Sequence, residues 1–183
     1  MKKTIFALTI ASLLSAPALA SKEGFYIGAD LGSNRIEGES FDTGFGLVAG
    51  YDFHVAPQVV IGVEGEYRHL GKEKGIVLDE GLKPHNAELK AHSFGINVKP
   101  KYYFNENFYA GVQLGLHSIT EKVDVEDFGS DKDSGTGVSY GLEAGYDFNR
   151  NVAIKGGYKA MTAKVHGWDT DYSTLYIGAN YKF

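Results

Sequence analysis

Cysteine is absent from the 183-residue chain, so no disulfide staples the fold and no lipid-anchored cysteine follows the N-terminal segment. An excess of basic residues is also missing: 18 Lys and Arg stand against 23 Asp and Glu. That balance argues against a general polyanion binder and removes nucleic acid as a partner. Beyond the first twenty residues no stretch approaches the 18 or so consecutive apolar residues of a spanning helix. Metal and nucleotide motifs are missing as well, which leaves no metal-binding, cofactor-binding or catalytic residue to nominate.

What is present begins with Lys2-Lys3, an apolar run from Ile5 to Leu14 and the small-x-small triplet Ala18-Leu19-Ala20. Basic start, apolar centre and cleavage triplet, in that order, are the pattern of a secretory signal. Residues 1–20 are expected to be cleaved, leaving residues 21–183 as one exported domain. Without Lys2 and Lys3 the basic count falls to 16 against the same 23 acids, a formal charge of −7. All 24 glycines and all 12 tyrosines lie in this remaining part, a mixture poor for helix and good for sheet.

Alternation then runs through the domain. Phe25, Ile27, Ala29 and Leu31 share one parity, and Tyr26, Gly28, Asp30 and Gly32 the other. Seven more segments read the same way: Phe45 to Phe53, Val59 to Tyr67, Phe94 to Phe104, Phe108 to Ser118, Val138 to Phe148, Val152 to Thr162 and Ser173 to Phe183. Most have about the 9–11 residues of a tilted transmembrane strand. Their apolar faces carry no charge. The opposite faces carry Asp30, Asp52, Glu64, Glu66, Arg68, Lys99, Lys101, Glu143, Asp147, Lys155, Lys159 and Lys182 among many glycines. A soluble sandwich and a membrane barrel both produce such alternation.

Three features select the barrel. Tyr51 and Phe53, Tyr102 and Phe104, Tyr146 and Phe148, and Tyr181 and Phe183 end the even-numbered segments, which puts all four pairs at one level of an up-and-down sheet, as in an interfacial aromatic belt. Connectors alternate: 54–58, 105–107 and 149–151 are short, whereas 35–42, 70–90, 120–136 and 164–172 are longer and polar. Short turns at one end and loops at the other fit periplasmic turns and surface loops. Finally, the strand number is even and the apolar reading reaches Phe183, so the sheet closes on its first strand. The expected fold is all-β: an eight-stranded antiparallel up-and-down transmembrane β-barrel. Pro100, inside the fourth segment, predicts a bulge or local break.

From GFYIGADLG through LEAGYDFNRNVAIKGGYK to LYIGANYKF the domain resembles the eight-stranded outer-membrane barrels, the transmembrane domain of outer membrane protein A and the small OmpX/Ail-type surface proteins. The resemblance implies a monomer in the outer membrane, in contact with its lipid and lipopolysaccharide. It also implies delivery by the barrel-assembly machinery, which reads a terminal strand such as the one ending in Phe183. The peptidoglycan-binding domain of the larger relative has no counterpart in the sequence, so no wall-anchoring role carries over.

An eight-stranded interior is filled by side chains, so the inward charges are expected to plug it, with Glu64, Glu66, Arg68, Lys99, Glu143 and Lys155 as the central network. The expected role is non-enzymatic: surface loops held for adhesion, host contact or envelope integrity. A narrow or gated channel is the alternative, and a lipid A-modifying enzyme the third reading. For the last, the adjacent pairs His92-Ser93 and His117-Ser118 put their side chains on opposite faces of a strand, leaving only His92 with Ser118 on a neighbouring strand. Ile76-Val77-Leu78 reads as the arm of a hairpin rising above the membrane, or as a patch for a host surface ligand. Asp124, Glu126, Asp127, Asp131 and Asp133 read as a solvated acidic loop, since the spacing lacks the closing glutamate of a calcium loop. Arg68, Lys72, Lys74, Lys90, Lys122 and Lys164 are expected near the outer rim, within reach of lipopolysaccharide phosphates.

Overall fold

The computed structural model describes residues 22–78, 84–125, 129–165 and 168–183. Residues 1–20, expected to be cleaved, and the acids Glu126 and Asp127 of the third connector lie outside that set. Eight strands follow one another: β1 (Gly24–Ile36), β2 (Glu39–Ala56), β3 (Val59–Leu78), β4 (Pro84–Tyr103), β5 (Phe108–Val125), β6 (Gly129–Asp147), β7 (Val152–Val165) and β8 (Trp168–Lys182). Each pairs antiparallel with its neighbour, and β8 pairs back onto β1 from Tyr26 with Lys182 to Ile36 with Tyr172. The result is a closed barrel. Closure leaves no ladder edge to template association with another chain.

The turn end is built by a repeated device. The side-chain oxygen of Asn105 accepts from the backbone N–H of Asn107 and Phe108, and that of Asn149 does the same for Asn151 and Val152. The second asparagine of each Asn-x-Asn turn then donates sideways, Asn107 to the carbonyl of Asp147 and Asn151 to that of Lys182. Neighbouring turns are thus tied by the residues that make them short.

The outer end differs from the loops expected there. Segments 35–42, 70–90, 120–136 and 164–172 are largely paired strand: the ladder runs to Ile36 and Glu39, to Leu78 and Pro84, to Val125 and Gly129, and to Val165 and Trp168. Ile76, Val77 and Leu78 pair with Asn86, His85 and Pro84, so this stretch is the hairpin arm. Between β1 and β2 only Glu37 (φ 51°) and Gly38 (φ 81°) turn the chain. Two successive positive φ angles belong to the hairpin turns whose twist matches the flanking strands. Polarity disguised these extensions as loops, because a strand above the membrane has water on its outer face and need not be apolar.

Pro100 produces the break and not the bulge. β4 and β5 stay in one register from Ala87 to Tyr103, but Lys99 and Pro100 have no partner on β5, while Pro100 still faces Ile61 on β3. The missing N–H costs one stretch of one ladder.

Inside, large side chains face glycines across the ladder. Tyr26 is opposite Gly50, Tyr109 opposite Gly145 and Tyr176 opposite Gly157. A methyl group on Gly145 would lie 2.4 Å from the Tyr109 ring, and one on Gly50 would lie 2.8 Å from the Tyr26 ring. Asp30 and Arg68 similarly both face Gly46. Eight strands enclose little space, and glycine on one strand makes room for a tyrosine or a charge on the next.

Candidate functional site

The lumen contains charge between two less polar layers. On the outer side Leu70, Ala91, Ile119, Met161, Ala163 and Tyr172 form a buried cluster, with Ile36 packed against it. On the turn side Val60, Tyr103 and Tyr109 form another. Charged and polar side chains between them are almost entirely removed from the surface, Glu64, Glu66, Lys99 and Glu143 being 1–3% exposed.

Two hubs organise this space. Glu66 accepts from Arg68 Nε (2.8 Å), from Asn97 Nδ2 (2.7 Å) and from the Lys159 ammonium, while the same guanidinium donates through Nη2 to Asp30 (2.7 Å). Glu143 accepts from Lys99 (2.6 Å), Tyr176 (2.9 Å) and Tyr109 (3.1 Å). Glu64 links the hubs: it lies 3.5 Å from Lys99 and accepts from Tyr26 (2.8 Å) and Asn97 (3.3 Å). A buried carboxylate is tolerated when its lone pairs are filled by cations and hydroxyls, as here. Below the hubs, Lys101 and Lys182 both reach Asp52 at 2.8 Å.

Of the six residues expected at the centre, Glu64, Lys99 and Glu143 meet in one group and Glu66 and Arg68 in the other. Lys155 is set apart. It is buried, but among the described residues no hydrogen bond or ion pair within 4.0 Å reaches it. Arg68, read also as a rim residue, is 3% exposed in the lumen and has no access to the rim. Sequence reasoning left Asp30 and Lys159 outside the central set, and did not single out Asn97, Tyr26, Tyr109 or Tyr176. Parity held the signal, since all six lie on the face of their strands opposite the apolar one.

His117 fills the lumen beside the Glu66 hub, with Nε2 2.9 Å from Asn97 Oδ1. Its Nδ1 and the hydroxyl of buried Ser93 have no hydrogen-bond partner, so the two do not form a nucleophile and base. His92 lies opposite Thr120, not Ser118, which faces Phe94. Among the described residues no three His, Asp or Glu side chains gather as a metal site.

Each of the eight aromatic residues at the turn end is open to the surroundings, from Tyr51 at 37% to Phe148 at 59%. Within the pairs the ring centroids are 4.8 Å apart for Tyr51 and Phe53, 5.3 Å for Tyr102 and Phe104, 5.4 Å for Tyr146 and Phe148, and 5.2 Å for Tyr181 and Phe183. At this end the lumen opens into a cavity of about 450 Å³ lined by Asp52, Lys101, Tyr103, Asp147 and Lys182. Lys22 crosses its mouth, 3.5 Å from Asp147 and over the Tyr103 ring.

The sequence matches a family described as the outer membrane protein beta-barrel domain over residues 6–183. Among solved structures it resembles Ail, the attachment invasion locus protein of Yersinia pestis, at 21% identity over 88% of this chain and 97% of that one, with a TM-score of 0.56. The same protein in complex with the heparin analogue sucrose octasulfate gives 23% identity, the same coverage and a TM-score of 0.56. Neisserial surface protein A is 17% identical over 87% of this chain and 97% of that one, with a TM-score of 0.63. No curated protein matches the sequence. At these identities the structural likeness is one of fold, but the sequence match spans the whole barrel, and the chain belongs to the outer membrane β-barrel family.

Proposed function

We propose that this protein is a closed, non-enzymatic outer-membrane barrel that carries four surface hairpins for adhesion, host contact or envelope integrity. The observation that carries the reading is the filling of the lumen: paired charges lie beneath the apolar layer of Leu70, Ile119 and Met161, and both crowd the space that a solute would need. On this reading the ion pairs are a plug. The belt from Tyr51 to Phe183 sits at the periplasmic interface, where amphipathic rings are favoured.

Residues 1–20 act as the export signal, and the strand ending in Phe183 is the part presented to the assembly machinery. Outer-membrane lipid and lipopolysaccharide surround the monomer. A host ligand is supported by the Ail structure with a heparin analogue, and the hairpins are the parts that would reach it. His92 lies opposite Thr120 and His117 Nε2 is engaged by Asn97, an arrangement that supports the non-enzymatic reading.

The test shortens the β3–β4 and β5–β6 hairpins in turn, joining the strands near His69 and His92 or near Thr120 and Ser134. Loss of binding to host cells or to sulfated glycan with the barrel still folded is the expected result. Unchanged adhesion and unchanged survival in both variants would leave the surface role without support.

A further inference from the structure

At the turn end the lumen widens into the cavity of about 450 Å³, and its charge is unevenly distributed. At the inner end Asp52, only 2% exposed, accepts from Lys101 on one oxygen and from Lys182 on the other, both at 2.8 Å. One carboxylate thus serves two ammonium groups. Lys101 otherwise faces rings, its Nζ lying 5.1 Å from the centre of Tyr26 and 5.5 Å from that of Tyr109. Arg150 belongs to the turn whose Asn151 is bonded to both main-chain groups of Lys182; it lines the same cavity and makes no ion pair within 4.0 Å among the described residues. This side therefore sets Lys101, Arg150 and Lys182 against Asp52 alone. A recess with surplus positive charge favours an anionic group.

The opposite side is built for a cation. Tyr103 presents its ring face, Asp147 its Oδ2 and Glu106 its main-chain carbonyl, and the three converge on one point. That point is taken by the Lys22 ammonium, 3.6 Å from the centre of the Tyr103 ring and 3.5 Å from Asp147, with a hydrogen bond donated to Glu106. A ring face and two oxygens, one of them charged, suit an alkylammonium. Tyr103 is fixed in place, since its hydroxyl donates to Asp147 at 3.1 Å and its ring packs on Tyr109 at 5.2 Å. Lys22, by contrast, is not part of the wall. It precedes β1, and it spans the mouth from the β8 side, where its carbonyl accepts from Lys182 at 2.6 Å, to the β4–β5 turn. Its side chain remains 24% exposed. The occupant of the cation seat is thus the tip of a side chain that water can reach, and a free ammonium can take its place.

We propose that the turn-end cavity is a binding site for a small zwitterion whose ammonium and carboxylate stand several bonds apart, with Lys22 as an internal competitor. The ligand's ammonium replaces that of Lys22 against Tyr103, Asp147 and Glu106, and its carboxylate meets Lys101, Lys182 and Arg150. A simple amine satisfies only the first group and a simple carboxylate only the second. A diamine of the same length would set its second ammonium among three cations. On the orientation proposed above the mouth opens to the periplasm, but the site itself does not depend on that reading.

The test titrates the full barrel, folded in detergent micelles, with 6-aminohexanoate, hexylamine and hexanoate while the amide NMR signals of Glu106, Asp147 and Lys182 are followed. Lys22→Ala frees the cation seat without altering Tyr103, Asp147 or Glu106. A ligand that must displace an occupant binds more weakly as the occupied fraction rises, so this variant should bind 6-aminohexanoate about fivefold or more tightly than the unaltered protein does. In the same variant hexylamine and hexanoate should each bind about tenfold more weakly than 6-aminohexanoate, the worth of one charge-assisted contact. Adding Tyr103→Leu should weaken 6-aminohexanoate and hexylamine alike, whereas adding Lys182→Gln should weaken 6-aminohexanoate and leave hexylamine unchanged. Folding of each variant is checked by gel mobility without heating. Equal affinity of the Lys22→Ala variant and the unaltered protein for 6-aminohexanoate overturns the proposal, as does the absence of saturable binding by that variant. Hexylamine bound as tightly as 6-aminohexanoate overturns it too, because the carboxylate would then contribute nothing.

Discussion

On β6, Tyr140, Leu142 and Tyr146 stand outward at 58%, 65% and 43% exposure, while Ser139, Glu143 and Gly145, each one residue away, are buried. The two faces of this strand meet different solvents and fail by different mechanisms. Outward residues are chosen for apolarity and need no particular partner, because lipid fits any shape. Inward residues are chosen for partner and volume, because the lumen is closed and small. A charge is therefore costly outside and ordinary inside, whereas an added methyl group is ordinary outside and costly inside.

The contrast is sharpest at the Glu66 hub. Glu66→Ala leaves Arg68 and Lys159 without their shared carboxylate, and the expected loss of stability is about 3–5 kcal/mol, measured by urea unfolding in lipid vesicles. Next is a charge on the outer face: Leu142→Arg, near the middle of the apolar band, should cost about 2–4 kcal/mol, and Leu142→Phe far less. A volume change inside follows. Gly145→Val drives side-chain atoms into the Tyr109 ring and should cost about 1–3 kcal/mol, whereas Ala144→Val, one residue away and outward, should be nearly neutral.

The smallest effect is expected at Lys155, which the hubs leave out: Lys155→Met should fall within about 1 kcal/mol of the unaltered protein or stabilise it. Lys99→Met, which strips a cation from Glu143 and Glu64, should be strongly destabilising under the same conditions. Equal losses at the two lysines would show that the lumen responds to total charge and not to pairing.

Much of this was legible from alternation. Because side chains on a strand alternate faces, the charged parity of Asp30, Glu64, Lys99 and Glu143 placed each inside without knowledge of any partner. Which charges meet depends on inter-strand register, and single-strand parity does not carry that information: Glu66 finds Lys159 from the far side of the barrel, and Lys155 misses both hubs. Parity also fails at irregularities. The irregularity between His69 and Gly71 leaves Gly71 buried and turns Lys72 out, against the parity that places Glu64, Glu66 and Arg68 inside. Apart from the Ile76-Val77-Leu78 arm, the outer hairpins were hidden for a different reason, since above the membrane the outward face meets water and the apolar half of the pattern disappears, although the backbone pairing continues. At the turn end the two Asn-x-Asn turns were visible as short connectors, but their sideways hydrogen bonds were not.

The central claim, a barrel greasy outside and stoppered by paired charge within, is tested most directly by planar-bilayer recording on the folded protein, with insertion confirmed beforehand by its unheated gel mobility. The account predicts current indistinguishable from leak at either polarity. A steady, voltage-independent conductance from the same preparation would contradict it, because ions would then be crossing a lumen that the Glu66 and Glu143 hubs and the Leu70 layer are supposed to fill.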